Sequence, residues 1–249
     1  MGRKIMVVTA AYGAEQVRHA GGQRAMLPVI AGAGADGVEI RRELFNSEEL
    51  LALPALSESI ELMGLLACYS APAALFMPDG TLNPDLPRYL SEANTLNALW
   101  LKVSLGHFSD TQPLDALRAL LNASGMALVV ENDQTDCGQL APMRRFQAAC
   151  REMALPVTLT FDMGNWLWVG DSPEEAARHL APAVSYIHVK AAVPHKDNFR
   201  AVAPDRADAR WLDLLGQLPA GAPRGIEFPL EGADLTAVTR HYVNLLREE

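Results

Sequence analysis

The sequence VTLTFDMGN at positions 157–165 is a short apolar run that ends on an acidic side chain, Asp162. Three further runs share this pattern and carry Glu131, His188 and Glu227 at or near their ends: MALVVEND (126–133), VSYIHVK (184–190) and RGIEF (224–228). Runs of this length that are rich in aliphatic and β-branched residues, and that stop at Gly, Asn, Asp or Pro, are typical of buried strands. The four runs therefore predict four strands, each carrying an acidic or imidazole side chain at its carboxyl end.

Working outward from these runs, the same pattern recurs along the whole chain. The strand candidates are Ile5–Thr9, Gly37–Arg41, Leu62–Tyr69, Leu99–Ser104, Met126–Glu131, Val157–Asp162, Val184–Lys190 and Arg224–Phe228. Amphipathic patterns separate them, and 171–175 reads as a helix start with a capping residue before Pro173. Eight strand–helix units in 249 residues give about 31 residues per unit, close to the size of one βα repeat.

This spacing predicts an α/β fold, a (β/α)8 TIM barrel that occupies residues 1–249 as a single domain. An open doubly wound sheet is the alternative. It is disfavoured because neither GxGxxG nor GxxxxGK[ST] follows the first strand.

The amino-acid composition argues against several classes of function. The chain has 21 Lys and Arg against 30 Asp and Glu, a net charge of −9, which argues against nucleic-acid binding and against an anionic membrane surface. The longest apolar stretch is too short to span a membrane. The three cysteines form no CxxC motif, which favours reduced thiols and a cytoplasmic protein.

Active sites of TIM barrels lie at the carboxyl ends of the strands, where Glu131, Asp162, His188 and Glu227 are expected to meet. Three carboxylates and an imidazole in one place repel and shift their pKa values unless a cation neutralises them. Ligands rich in oxygen with one nitrogen suit a single divalent ion such as Mn²⁺, Mg²⁺, Co²⁺ or Zn²⁺. We therefore expect one metal ion at this place.

The same residues, together with GVEIR at 37–41, resemble the xylose isomerase-like TIM barrels. This superfamily contains sugar and sugar phosphate isomerases and epimerases, inosose-converting enzymes and the AP endonuclease family 2. The intervals of 31, 26 and 39 residues between the four positions are similar to those of ketose 3-epimerases. The resemblance implies that Glu131, Asp162, His188 and Glu227 bind the metal. It also implies that Glu131 and Glu227 abstract and return the substrate proton.

Five further residues are candidates for substrate binding: Glu39, His107, Asn165, Trp166 and Lys190. Lys190 is two residues from His188 and so shares its face of the strand. Each candidate also has a structural interpretation. The alternative for Glu39 is a local ion pair, and the alternative for Lys190 is a solvated position in a loop. For His107 it is a structural role after its strand. For Asn165 it is a turn, and for Trp166 it is packing against a helix.

The expected function is a metal-dependent isomerase or epimerase that acts on a small sugar or keto-sugar, as a possible homo-oligomer. Proton abstraction next to a carbonyl is the expected chemistry. Two alternatives remain open: a dehydratase or lyase acting on a keto-inositol-type substrate, and a non-catalytic ligand-binding barrel. A nuclease is disfavoured, because Asn165 stands where many relatives have a histidine and because the chain is acidic.

Overall fold

Eight parallel strands close into a barrel in the computed structural model, which describes residues 3–110 and 114–248 of the chain. The barrel strands are β1 (Ile5–Val8), β2 (Gly37–Arg41), β3 (Leu66–Phe76), β4 (Leu101–Gly106), β5 (Leu128–Glu131), β6 (Val157–Asp162), β7 (Val184–Val189) and β10 (Arg224–Ile226). They follow one another around the barrel in chain order, and β10 closes it against β1. The predicted (β/α)8 fold is therefore confirmed.

Helices surround the barrel and connect the strands. They are α1 (Ala14–Ala20), α2 (Leu27–Gly32), α3 (Ser47–Leu51), α4 (Leu53–Leu62), α5 (Leu86–Thr95), α6 (Leu114–Ser124), α7 (Leu140–Glu152), α8 (Asn165–Trp168), α9 (Pro173–Leu180), α10 (Arg210–Leu215) and α11 (Leu235–Glu248). Short 3-10 helices lie at Thr9–Tyr12, Gln23–Met26, Arg42–Leu44, Asp136–Gly138, Ala181–Ala183 and Pro204–Arg206. The predicted start of α9 is confirmed, since the Ser172 hydroxyl accepts a hydrogen bond from Glu175 N and Pro173 follows it.

The barrel interior has two chemically different levels. Met6, Cys68 and Tyr186 form a small buried apolar cluster between the strands. Next to this cluster, Glu39 and His188 are also fully buried, and the rings of Tyr186 and His188 pack edge to face. A buried charge needs a partner in a medium that cannot solvate it, so this level of the barrel is built from mutually paired ionic groups.

The bounds of β2 and β6 match the prediction, the other six strands differ at one or both ends, and β3 differs most. β3 begins at Leu66 rather than Leu62, because the preceding apolar residues finish α4 and the chain then turns at Gly64, whose φ is 69°. β3 also continues to Phe76, with a register shift against β4 between Ser70 and Ala74. Apolar residues alone do not separate the end of a helix from the start of a strand.

A β-hairpin, β8 (Ala191–His195) and β9 (Asn198–Val202), follows the seventh barrel strand. It pairs only with itself, and the ring of Phe199 lies 5.6 Å from that of Trp168 on α8. The polar segment after β7 is therefore an ordered flap beside the barrel mouth. None of the helices in the described part of the chain is long and apolar enough to cross a membrane.

Candidate metal centre

Four adjacent strands bring the predicted ligands together. β5, β6, β7 and β10 are neighbours in the barrel, and Asp162 is paired with His188, which is itself paired with Gly225. One ligand atom from each of Glu131, Asp162, His188 and Glu227 lies within 4.8 Å of the other three. The predicted convergence at the carboxyl ends of the strands is thus present in the structure.

The Asp162 carboxylate is oriented by the loop that follows it. Its Oδ1 accepts hydrogen bonds from Gly164 N at 3.0 Å and Asn165 N at 2.9 Å. The Asn132 side chain bonds both to the backbone N and to the backbone O of Asp162, which fixes β6 against the end of β5. Because Oδ1 is engaged with the backbone, Oδ2 is the oxygen that faces the cluster.

Glu39 orients the imidazole of His188 from the opposite side. Its Oε2 lies 2.7 Å from His188 Nε2, and both side chains are fully buried. With Nε2 engaged, Nδ1 faces the carboxylates, at 2.7 Å from Glu131 Oε1, 3.0 Å from Glu227 Oε2 and 3.9 Å from Asp162 Oδ2. A carboxylate behind a ligating histidine is the usual arrangement for fixing its ring and tautomer.

The hydrogen-bonding pattern tests whether these residues fit a metal ion. Glu131 Oε1, Asp162 Oδ2 and His188 Nδ1 are buried and have no hydrogen-bond partner among the described residues, although they point at one another. Buried polar atoms are almost always hydrogen-bonded. Lys190 Nζ is the close cationic neighbour of Asp162 Oδ2, at 2.8 Å, and the three atoms facing one centre leave room for a further shared partner. Three carboxylate oxygens and one imidazole nitrogen are suitable donors for a divalent cation, and the set fits a metal ion.

Three cations already lie among the carboxylates, which the sequence analysis did not foresee. Lys102 Nζ contacts Glu131 Oε2 and lies 3.8 Å from Glu39 Oε1. Lys190 Nζ lies 2.8 Å from Asp162 Oδ2 and 2.9 Å from Glu227 Oε2. A metal ion is therefore not the only source of positive charge at this place, since these lysines, with Arg41, offset most of the negative charge.

Arg41 completes this ionic ring from the end of β2. Its Nη1 lies 2.9 Å from Glu227 Oε1 and 3.6 Å from Glu39 Oε1, and its Nε donates to Glu43 at 2.8 Å. Burial opposes the charged form of this guanidinium, but Glu227 and Glu39 raise its pKa further above the ordinary value. Arg41 therefore remains a permanent cation of the site.

The surroundings move the pKa values of the carboxyl groups in opposite directions. Burial alone raises the pKa of Glu131, but Lys102 and His188 outweigh burial and lower it to about 2. Burial likewise opposes ionisation of Glu227, yet His188 and Lys190 hold its pKa well below the usual range. For Asp162 burial dominates, and Glu227 and Glu131 add to it, so its pKa is raised despite Lys190. Glu131 and Glu227 are the carboxylates held most firmly in the ionised form.

A cavity of about 400 Å³ opens next to the cluster. Charged and amide side chains line one part of it and the small residues 71–74 of β3 line another; its polar lining includes Arg41, Lys102, Glu131, Asn165, Lys190 and Glu227. Two of the five residues predicted to bind substrate, Asn165 and Lys190, thus face this cavity. A space of this size accommodates a small ligand of the sugar class.

Asn165 has a structural role in addition to its place in the cavity wall. Its Nδ2 donates to Asn132 O at 2.9 Å and its Oδ1 accepts from Gln134 Nε2 at 3.0 Å. The side chain thus ties the loop after β5 to the loop after β6, as a turn-forming asparagine does.

The other three predicted substrate residues lie elsewhere. Glu39 is buried behind His188 and acts through that ring. Trp166 is fully buried and packs on Phe161 with ring centroids 5.4 Å apart, because the short helix α8 turns it toward the protein core. His107 is exposed in a separate cavity beside Gly106 and Asp136, since the chain turns at Gly106 with φ of 69°. The expectation that Trp166 and His107 line the substrate cavity is corrected by these positions.

The sequence analysis did not identify Lys102 as a residue of the site, although its position in an apolar strand indicates a buried ion pair. It stands in the run LKVSLG (101–106) of β4, where its neighbours are apolar and buried. A lysine with only 2% of its surface exposed is rare unless it is paired, so a charged residue inside a core strand indicates an ionic partner inside the barrel.

Comparisons with known proteins bear on the fold. No protein-family model matches the sequence, and no curated protein does either. Solved structures do match. The chain has the fold of the xylose isomerase-like TIM barrels. It is 12% identical to the probable 3-DHS dehydratase AsbF of Bacillus anthracis, with 98% of each chain covered and a TM-score of 0.67.

Two further xylose isomerase-like barrels match over similar lengths. One is the D-psicose 3-epimerase of Clostridium cellulolyticum crystallised with D-tagatose, at 13% identity, 98% coverage of each chain and a TM-score of 0.65. The other is the IolI protein with a zinc atom, at 12% identity, a TM-score of 0.68 and coverage of 98% of this chain and 95% of that one. The neighbours thus include an epimerase, a dehydratase and a metal-bound protein of one fold.

Proposed function

We propose that this protein is a divalent metal-dependent isomerase or epimerase that acts on a small sugar or keto-sugar. The observation that carries the proposal is the convergence of three buried atoms without a hydrogen-bond partner in the described residues, Glu131 Oε1, Asp162 Oδ2 and His188 Nδ1, beside a polar cavity. The epimerases among the structural neighbours support the same reading. A bound Mn²⁺, Mg²⁺, Co²⁺ or Zn²⁺ ion would polarise a substrate carbonyl and acidify the carbon next to it.

Glu131 and Glu227 are the proposed proton-transfer pair. They come from β5 and from the end of β10, the two outer strands of the four that carry the cluster, and both line the cavity. Both are held in the ionised form, which a proton acceptor requires. One ionised carboxylate removes the proton from the carbon beside the carbonyl. The product regains a proton from that same group, or from the other carboxylate after that carboxylate has taken up a proton from solvent.

The remaining residues of the site orient these groups. Asp162 is fixed through Oδ1 by the backbone of its own loop, and His188 is fixed through Nε2 by Glu39. Such pre-oriented side chains leave little reorganisation for the reaction itself. Asn165 and Lys190 face the cavity and are proposed to contact the substrate.

Solvent exchange tests this function without knowledge of the product. A panel of ketoses, aldoses, cyclic polyol ketones and keto-acids is incubated with the Mn²⁺-loaded protein in D₂O, and deuterium incorporation is followed by NMR. We expect at least one compound to exchange the proton next to its carbonyl. Exchange should fall about 10²–10⁴-fold in Glu227→Gln, the loss typical of a general acid or base.

Glu58→Gln is the matched control, because Glu58 is exposed on α4 and does not line the cavity. It should exchange like the wild type. A protein that binds Mn²⁺ and a panel compound, yet exchanges no proton, would instead be a ligand-binding barrel. Water loss from the exchanging compound would identify a dehydratase.

A further inference from the structure

Lys190 holds two oxygens that a metal ion would also use. Its Nζ lies 2.8 Å from Asp162 Oδ2 and 2.9 Å from Glu227 Oε2. These are the oxygens of the two carboxylates that also face His188 Nδ1. An ammonium group and a divalent cation placed against the same pair of oxygens repel each other, so each weakens the binding of the other.

The position of this lysine is built into the fold. Its stem crosses Gly164, where an added Cβ would lie 3.0 Å from Lys190 Cγ, so the glycine leaves the space that the stem occupies. Lys190 is also shared by two cavities, the one of about 400 Å³ already described and a second of about 360 Å³ on the side of Tyr12 and Phe228. The ammonium group therefore has open space beside its present position.

The charge balance of the site indicates which kind of ligand the Lys190 ammonium would bind if a metal ion displaced it. Within the buried cluster, the carboxylates of Glu39, Glu131, Asp162 and Glu227 face three cations, Arg41, Lys102 and Lys190. This leaves one negative charge when His188 is neutral, as a metal-binding imidazole is. A divalent ion reverses this to one positive charge. Glu43, partly exposed against Arg41, and Asp133 in the cavity lining lie outside this count. An excess positive charge in a partly enclosed polar cavity favours a ligand that carries a negative charge.

We propose that Lys190 exchanges partners: a divalent ion displaces it from Asp162 and Glu227, and the freed ammonium then binds an anionic group of the substrate. The proposal rests on the proposed function, and it names the substrate class as a carboxylated or phosphorylated polyol ketone. Arg41 faces the same cavity and adds a second positive charge there. Lys190 is in this respect both a resident counter-ion and a substrate-binding residue.

The first test measures metal affinity rather than turnover. Co²⁺ is titrated calorimetrically into the wild type, Lys190→Gln and Lys4→Gln. Lys190→Gln removes the competing charge and should bind Co²⁺ at least about tenfold more tightly, well within the several kcal/mol that a neighbouring unit charge can contribute. Lys4→Gln, an exposed lysine next to β1, should match the wild type. Lys190→Met is the second variant if Lys190→Gln does not fold.

Equal or weaker Co²⁺ binding by the folded variant would overturn the exchange of partners while leaving the proposed function intact. A wild type that binds no Co²⁺ at all would overturn the proposed function, and the exchange with it. The two failures are thus separable in one set of titrations.

The second test asks which ligands the freed lysine prefers. D-Gluconate, D-fructose 6-phosphate and uncharged D-glucitol are titrated into the Co²⁺-loaded and the metal-free proteins. The loaded wild type should bind one of the anions at least tenfold more tightly than D-glucitol, and the better anion identifies a carboxylate or a phosphate. The preference should shrink in the metal-free protein and in Lys190→Gln, but not in Lys4→Gln.

Equal binding of D-glucitol and both anions by the loaded wild type would overturn the anionic substrate class. Persistence of the preference in Lys190→Gln would show that another group, and not Lys190, holds the anion.

Discussion

Glu39→Gln is expected to weaken divalent metal binding without disturbing the fold of the barrel. The change keeps the length of the side chain and replaces the carboxylate that lies 2.7 Å from His188 Nε2 with a neutral amide. In the wild type this carboxylate holds the imidazole ring in place and makes Nδ1 a better electron donor to a metal ion. The variant loses both effects. Loss of such a supporting carboxylate typically costs about 10–100-fold in metal affinity, or about 1.4–2.8 kcal/mol.

The structure adds a second contribution in the same direction. Glu39 Oε1 also lies 3.6 Å from Arg41 Nη1 and 3.8 Å from Lys102 Nζ. Removing the carboxylate therefore leaves two cations less compensated, and a less compensated positive charge repels the metal ion. We expect the measured loss to lie toward the upper end of the range.

Calorimetric titration of Mn²⁺ or Co²⁺ measures this loss, with Glu43→Gln as the matched control. Glu43 contacts the same arginine at 2.8 Å but is partly exposed, whereas the carboxylates paired with His188 within the described residues are Glu39, Glu131, Asp162 and Glu227. Glu43→Gln should leave metal affinity within about twofold of the wild type, as expected for an exposed pair. Glu39→Asp distinguishes the effect of the charge from the effect of side-chain length, because aspartate keeps the negative charge but is shorter by one methylene. A folded Glu39→Gln that binds metal as tightly as the wild type would refute the role assigned to Glu39.

Three further predictions concern stability. Trp166→Ala should destabilise the protein by about 3–5 kcal/mol in denaturant unfolding, because the indole is fully buried against Phe161. Trp168→Ala should cost less, since Trp168 is partly exposed. A smaller loss in Trp166→Ala would contradict the core position of Trp166 and favour a place in the cavity wall. Burial raises the pKa of Tyr12 to about 12, although its bond to Thr239 opposes this, so the stability that the wild type holds below pH 10 should be lost as the pH rises toward 12. Relative to Tyr12→Phe, whose ring cannot ionise, the wild type should lose up to about 2–3 kcal/mol over that range, and parallel pH profiles of unfolding would contradict the shift. Added Mn²⁺ should raise the melting temperature, with about 2.7 kcal/mol of stabilisation at a hundredfold excess over Kd, and chelation should reverse it; an unchanged melting temperature would count against the metal site.

The sequence predicted the convergence of Glu131, Asp162, His188 and Glu227 because strand-end position is a local property. Asp162 and Glu131 end apolar runs that can only be strands, and the closure of the barrel then brings their ends together. The bounds of β2 and β6 were predicted exactly as observed because Gly37 and Asp162 mark clear changes of polarity. β3 was misplaced because the apolar run continues from α4 into the strand.

Side-chain direction was harder to predict than position. Trp166 follows the Asp162 loop in the sequence, but one turn of helix directs its ring into the core rather than the cavity. Glu39 lies on β2 and contacts His188 across the barrel interior, whereas Lys102 lies on β4 and contacts Glu131 on the neighbouring strand β5. Such contacts join residues far apart in the chain, so a local pattern can mark Lys102 as buried and paired but cannot identify its partner.

The buried cations change the reason for expecting a metal. From the sequence, repulsion between carboxylates demanded a positive charge, and in the structure Lys102, Lys190 and Arg41 supply most of it. Charge balance alone therefore does not require an ion. The argument for an ion comes from direction: Glu131 Oε1, Asp162 Oδ2 and His188 Nδ1 point at one place without hydrogen-bond geometry among the described residues. The lysine amines each contact only some of the carboxylates, whereas a cation at the centre would contact all three atoms at once. On our proposal this cation would compete with Lys190 for Asp162 Oδ2 and Glu227 Oε2.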